Sequence, residues 1–294
     1  MRRKRSWCAS PWASGDSLNS SATFDTLKHV FFHDDLDYSS MSRLLGVSFK
    51  TINEWQRRIR HKLPHSFNAH SLGSCSVVGR SGSLLHHPHG RTIDTSEAVF
   101  RSNLSPTRGF EAYVGKRTTH RIWGSVTQHG LPEETPWRND SILVYCGPPS
   151  RRVDKCWRSI SNSSRPLPRL HPLFARELRV HIRDEIGLPR SHTTLTTGTI
   201  ALGVALHLCK NVTIFGYGNG SHSWNCVPSG RDTCGRYDIV PPRSRLQGTC
   251  KYHWKMKSYM DVSVPNHDLF LEWAWIQSLL SRKLVHAPPC CKAH

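Results

Sequence analysis

Apolar residues in this chain come in short runs, set apart by long polar stretches rich in Ser, Gly and Pro. The most regular pattern lies between Thr194 and Gly218. Ile200, Val204 and Leu208 recur at i, i+4 and i+8 with Ala201 and Ala205 beside them, which predicts a helix with one apolar face. Thr196-Thr197-Gly198 opens it with hydroxyls suited to an N-cap. Lys210-Asn211 reads as its stop, and Val212 to Phe215 as a short strand closed by Gly216-Tyr217-Gly218. A helix N-terminus beside a buried strand can hold a phosphate, because its N–H groups and dipole face the anion. Taken alone, the same unit is equally an ordinary αβ step of an α/β core.

Four further segments carry a pattern. Residues 75–79 form a short apolar strand, followed by the tight turn Gly79-Arg80-Ser81-Gly82 at its C-terminal end, where open α/β sheets gather ligands. Ser141 to Cys146 reads as a strand ended by Gly147-Pro148-Pro149, and 173–186 as a helix. Leu269, Phe270, Trp273, Ile276 and Leu280 mark the apolar face of a last helix, capped by Asn266 or the residue before it, which puts His267 at its N-terminus. We therefore expect one α/β domain over 65–285, with a largely parallel sheet flanked by helices on both faces. Its strands at 75–79, 141–146 and 212–216 are expected as neighbours. Residues 1–64 read as a polar stem plus a helical segment, and 286–294 as a tail. Residues 219–250 form a long Gly-, Pro- and Cys-rich loop, in which Cys226 can pair with Cys234 or with a distant partner.

Composition narrows the setting. Forty Lys and Arg against 21 Asp and Glu give a net charge of +19, which favours an acidic partner such as nucleic acid, anionic lipid or a nucleotide-sugar. Ten cysteines without tandem C-x-x-C pairs argue against a structural zinc site. Six N-x-[ST] sequons, at Asn19, Asn103, Asn139, Asn162, Asn211 and Asn219, join the cysteines in indicating an oxidising, glycosylating compartment. Asn103 and Asn211 sit against strands and are expected to be inaccessible. No apolar run of membrane-spanning length occurs, and Met1 to Arg5 is basic without an apolar stretch after it, so neither a span nor a secretory signal is expected in this sequence. Asp35-Leu36-Asp37 has the form of a metal-binding D-x-D but lies outside a strand–loop context and reads as a solvated acidic turn. Residues 40–63 offer a rival reading. Leu44-Leu45-Gly46-Val47-Ser48, then Thr51-Ile52 and Trp55, resemble a helix-turn-helix whose Arg57, Arg58, Arg60 and Lys62 would meet phosphates. An amphipathic helix pair packed on the main domain explains the same residues.

Motifs at fixed spacing go further. Thr196-Thr197-Gly198, Ala205-Leu206-His207-Leu208-Cys209 and Gly216-Tyr217-Gly218 resemble the small sialylmotif of the animal-type sialyltransferases, glycosyltransferase family 29. Upstream, Ile93-Asp94, Arg101, Asn103, Pro106, Gly109-Phe110-Glu111 and Val114-Gly115 with Arg117-Thr118-Thr119 resemble the large sialylmotif. Tyr252-His253-Trp254-Lys255 resembles the family's short aromatic–histidine motif. His267 with Glu272 five residues on resembles its final motif. The resemblance covers residues 74–282. It implies a nucleotide-sugar glycosyltransferase fold of a GT-A-like variant, a Golgi-lumenal setting reached through an anchor absent from this sequence, and a disulfide between Cys75 and Cys209.

The resemblance also implies a reaction: inverting transfer of a sialic-acid-type sugar from a CMP-sugar donor to a hydroxyl of a glycan on a glycoprotein or glycolipid. His267 is then the general base, facing the Thr196–Gly198 turn across an open cleft. Gly79, Ser81, Gly82, Asn103, Thr196, Thr197, Gly198 and His253 hold the donor, with no metal and no cofactor. Glu272 holds structure. The chain departs from the family at several of these places: Arg80 and Ser83 replace the amides of the Gly-Asn-Ser-Gly-Asn turn, Leu195 a proline, and Lys210 and Lys255 acids. A related acid sugar such as Kdn or Kdo on CMP, or an inactive glycan- or nucleotide-binding relative, is compatible with those departures.

Overall fold

Among the described residues a five-stranded sheet carries the fold, in the order β4-β3-β2-β1-β5, and every adjacent pair is parallel. The computed structural model describes residues 48, 50, 53, 70–80, 84, 85, 87–103, 105–124, 141–144, 170, 174–187, 194–217 and 267–288. In chain order the elements are β1 (Leu72–Val78), α1 (Gly90–Asp94), β2 (Ala98–Ser102), α2 (Glu111–Val114), β3 (His120–Trp123), β4 (Ser141–Val144), α3 (Phe174–Ile186), α4 (Thr197–Leu208), β5 (Cys209–Phe215) and α5 (Leu269–Ser281). The helix-turn-helix look-alike at 40–63 (apart from residues 48, 50 and 53), the Asp35–Asp37 triplet and the Cys226/Cys234 loop lie outside the described residues.

Parallel strands need both faces covered, and both are. Val77, Phe100, Ile122, Val212 and Ile214 enter one core with α3, α4 and α5; Val78, Val99 and Phe215 enter a second with Ile93 of α1 and Tyr113 and Val114 of α2. This is the α/β architecture with helices on both faces that the sequence predicts. β1 and β5 are neighbours as expected, with Val78 paired to Phe215. The strand at 141–144 is not their neighbour. It lies at the far edge, beyond β2 and β3.

Those two intervening strands explain the displacement. Ala98–Ser102 and His120–Trp123 carry Arg101, His120 and Arg121 within them, which breaks the apolar run that marks a buried strand. The two arginines are nonetheless buried. Arg101 donates to the carbonyls of Val114 at 2.5 Å and Arg117 at 2.9 Å; Arg121 donates to those of Asn103 at 2.7 Å and Ser105 at 3.2 Å. Buried guanidinium groups are tolerated where such acceptors meet them. His120 stacks on Phe100 with ring centroids 4.6 Å apart, and burial holds its pKa down at about 4, so it stays neutral.

Around α4 the sequence pattern is corrected in two respects. The helix is buried on all sides from Thr199 to Leu206, not on one face. It also has no stop: Cys209 is its last cap, with φ −111 and ψ 143, and is already the first residue of β5. Lys210 and Asn211 therefore belong to the strand, and both are exposed. Asn103 is 6% exposed, as expected of it, whereas Asn211 departs from that expectation. In α5 the cap is Asp268, whose Oδ1 accepts from Leu271 N at 2.9 Å, and not Asn266. Its buried residues include Leu271, Trp275, Ile276 and Leu279; of the predicted face, Ile276 is buried and Trp273 and Leu280 are partly so. Past α5 the chain returns to the sheet. His286 N donates to Val212 O and Ile214 N to His286 O, each at 2.8 Å, which joins the start of the expected tail to the outer edge of β5. Among the described residues no helix is long and apolar enough to cross a membrane.

Cys75 and Cys209 are joined by a disulfide, with Cα atoms 6.1 Å apart and 134 residues between them in sequence. Cross-linking so long a loop removes roughly 5 kcal/mol of chain entropy from the unfolded state. The Cys75→Ala/Cys209→Ala double variant is expected to lose stability of about that order, read as a lower urea midpoint with a steeper slope, because the unfolded chain is no longer held compact.

Candidate active site

The order of the strands locates a crevice. From β1 the chain steps outward through β2, β3 and β4, then returns to the other side of β1 as β5. Outside the C-terminal ends of β1 and β5 the two directions part, which is where open α/β sheets bind ligands. The two ends are pressed together. Gly79 N donates to Phe215 O at 2.8 Å, and a Cβ at Gly79 would stand 2.6 Å from Gly216 O, so glycine is required there. Gly216 itself has φ 71, a left-handed conformation that suits glycine.

The N-terminus of α4 reaches this same edge, and three side chains hold it there. Tyr217, just past β5, donates its hydroxyl to Gly198 O at 2.8 Å. Asn103, just past β2, donates Nδ2 to Thr197 Oγ1 at 3.2 Å and accepts Gly124 N on Oδ1 at 2.8 Å. Asn103 sits at φ 46, a left-handed conformation that asparagine tolerates better than most residues. Burial, and the nearby Glu272 carboxylate, push the Tyr217 phenol far above its ordinary range, so it acts here as a neutral donor. Thr196 is the N-cap, its Oγ1 accepting from Thr199 N at 3.1 Å. Thr197 and Gly198 stand in the first turn of α4, where backbone N–H groups have no helix carbonyl to bond, and a helix start of this kind can serve as an anion cradle.

Glu272 of α5 provides the third hold. It accepts from Thr196 N at 2.6 Å, from Thr196 Oγ1 at 2.7 Å and from Thr199 Oγ1. Only 5% of it is exposed. Burial raises its pKa to about 7, against the opposing pull of the Thr199 and Thr196 bonds. The raised value favours the neutral carboxyl over the carboxylate at this position. Its hydroxyl partners can turn from donor to acceptor, so both protonation states are satisfied.

Five residues before Glu272, His267 is fastened to the segment that leads into α4. Its Nδ1 lies 2.6 Å from Thr194 O. A carbonyl only accepts, so Nδ1 carries the proton and the lone pair of the neutral ring is on Nε2. The imidazole is half-buried. It is thus bonded to the segment leading into the cradle, where the sequence reading had it facing that turn across an open cleft.

Of the residues singled out in the sequence, Gly79, Asn103, Thr196, Thr197, Gly198 and His267 are placed along one edge of the sheet. Ser81, Gly82 and His253 lie outside the described residues. Tyr217 entered the sequence reading only as part of a strand end; its tyrosine hydroxyl, between two glycines and after a buried strand, was the available signal. Arg121, which fixes the carbonyls of Asn103 and Ser105, had none.

A family model described as glycosyltransferase family 29 (sialyltransferase) matches residues 22–228. Beta-galactoside alpha-2,6-sialyltransferase 2 of Gallus gallus is 27% identical over 203 residues, which are 63% of this chain and 36% of that protein. CMP-N-acetylneuraminate-beta-galactosamide-alpha-2,3-sialyltransferase 1 of Homo sapiens is 28% identical over 204 residues, 61% of this chain and 56% of that protein. The chain thus spans only about a third to somewhat over half of these relatives. The fold is shared with the crystal structure of a mammalian sialyltransferase in complex with Gal-beta-1-3GalNAc-ortho-nitrophenol. The TM-score is 0.55 at 20% identity, over 88% of this chain and 89% of that one.

The raised pKa of Glu272 has a measurable signature. Between the ordinary value of 4.5 and about 7 the native chain keeps a proton that the unfolded chain has released. Its contribution is therefore complete below that window and is lost as pH rises through it, by on the order of 3 kcal/mol. In urea unfolding from pH 4.5 to 7.5, Glu272→Gln is expected to remove that part of the wild-type slope.

Proposed function

Because the chain belongs to glycosyltransferase family 29, the sialyltransferases, we propose that it transfers a sialic-acid-type sugar from a CMP-sugar donor to a hydroxyl of a glycan, with inversion. The observation that carries this reading is the joining of two parts at one crevice: an anion cradle at the N-terminus of α4, and His267, tied through Nδ1 to Thr194 of the segment that forms the cradle.

In this scheme the donor phosphate lies at the N–H groups of Thr197 and Gly198, where the helix dipole favours the charge that grows as CMP departs. The acceptor oxygen attacks the anomeric carbon, its proton passes to Nε2 of His267, and the electron pair of the broken glycosyl–phosphate bond leaves on the phosphate oxygen. A general base of this kind contributes roughly a hundred- to ten-thousand-fold. No step in the scheme calls for a metal. Asn103, with Oδ1 on Gly124 and one amide hydrogen on Thr197, has its second amide hydrogen to offer the nucleotide. Gly79, Ser81 and Gly82 supply backbone to the donor, and His253 meets the leaving phosphate. The names of the relatives, β-galactoside and β-galactosamide enzymes, support a galactosyl acceptor. The disulfide supports a secretory, Golgi-lumenal setting.

Incubation with CMP-Neu5Ac, CMP-Kdn and CMP-Kdo over a panel of galactosides identifies donor and acceptor together. His267→Ala is expected to bind CMP nearly as the wild type does and to turn over about a hundredfold more slowly or worse. Retention of most activity would remove His267 from the chemistry. Duplex DNA binding that outlasts a salt series, without CMP binding, would replace the whole reading by the nucleic-acid one.

A further inference from the structure

Two of the six sequons begin on described asparagines, and the structure separates them sharply. Asn103 is buried, and both ends of its amide are bonded, to Thr197 and to Gly124. A glycan there would break the hold on the α4 N-terminus. Asn211 of Asn211-Val212-Thr213 is exposed, in a strand where exposure is not the rule, and it is flanked by exposed Lys210 and paired with exposed Ser74 of β1. Its position in β5 is toward the opposite end from the crevice: four residue steps lie between it and Phe215, about 13 Å at the usual strand rise. A bulky sugar at Asn211 therefore points to solvent and stays clear of the cradle.

The order of synthesis also leaves this sequon open. β5 is bounded by β1, already made but pairing across a long loop, and by His286, some 75 residues downstream. When Asn211-Val212-Thr213 emerges, the segment that will bond Val212 and Ile214 does not yet exist. Non-local pairings of this kind form late. The extended sequon is then available to a glycan-transferring enzyme, and the finished fold keeps the sugar outside.

We propose that Asn211 is an N-glycosylation site of the folded protein and that Asn103 is not. The amide nitrogen of Asn211 forms the bond to the anomeric carbon of an N-acetylglucosamine-terminated oligosaccharide. Its lipid diphosphate carrier leaves with the electron pair of the broken bond, and the amide gives up one proton. The glycan then covers the foot of β1 and β5 around Ser74 and Lys210. The inference rests on entry into the secretory pathway, as does the location given above, and is independent of donor and acceptor.

The test is to express the full chain behind a cleavable secretion signal in a eukaryotic host and to map the soluble product by mass spectrometry. Enzymatic deglycosylation in heavy-oxygen water marks each formerly occupied asparagine as a labelled aspartate. The expected result is label at Asn211 and none at Asn103, with Asn211→Gln losing one glycan-sized step on a gel while CMP binding stays unchanged. Folded product with unmodified Asn211, or with label at Asn103, overturns the proposal. Transferase assays on the same material report separately on the proposed function, so the two can fail independently.

Discussion

The site depends on one buried carboxyl. Glu272 leaves α5 and takes hold of Thr196 and Thr199 at the start of α4, two elements more than seventy residues apart in sequence. Burying an acid among apolar helices is costly unless its oxygens are met, and here a backbone N–H and two hydroxyls meet them. That arrangement fixes the start of α4 against the first turn of α5. His267, which lies just ahead of the α5 cap, is bonded to Thr194 on the segment leading into α4, so the two contacts tie the same pair of chain segments together.

How much of this was legible in the sequence follows from where polar residues fall. The existence of the α4–β5 unit, of the end of β1 at Gly79 and of a last helix just past His267 was legible from apolar spacing, and the Thr196 cap of α4 from residue type, while the finer bounds were not. β2 and β3 were not given bounds, because Arg101, His120 and Arg121 interrupt the apolar pattern. Their burial is made possible by carbonyls of loops distant in sequence, and by the stacking of His120 on Phe100, none of which a local window contains. For the same reason the strand at 141–144 was expected beside β1 and lies at the edge instead.

Smaller errors share a cause as well. Lys210 and Asn211 look like a helix stop, yet the chain turns from helix to strand within a single residue, since Cys209 is held by its disulfide to Cys75. The cap of α5 was set two residues early because Asn266 and Asp268 are equally good caps by type, and only the bond to Leu271 N decides between them. Within the site, those of the residues carried by spacing that the structure describes lie at one end of the sheet, and Ser81, Gly82 and His253 lie outside the described residues. What spacing did not supply was the bond that orients His267, which runs to a backbone carbonyl and so leaves no mark on side-chain pattern.

The direct passage from α4 into β5 has a mechanical consequence. With no linker between them, and with Tyr217 at the far end of β5 bonded back to Gly198, helix and strand form a closed, stiff frame. Such a frame leaves little room for the change of φ and ψ that a hinge requires, except at Gly216, which joins β5 to Tyr217. On the proposed reading, closing motion would then come chiefly from segments outside the frame. Discrimination among donors would follow from that stiffness: a sugar nucleotide would have to fit a preset phosphate position, and whatever adapts to the rest of it would be built elsewhere.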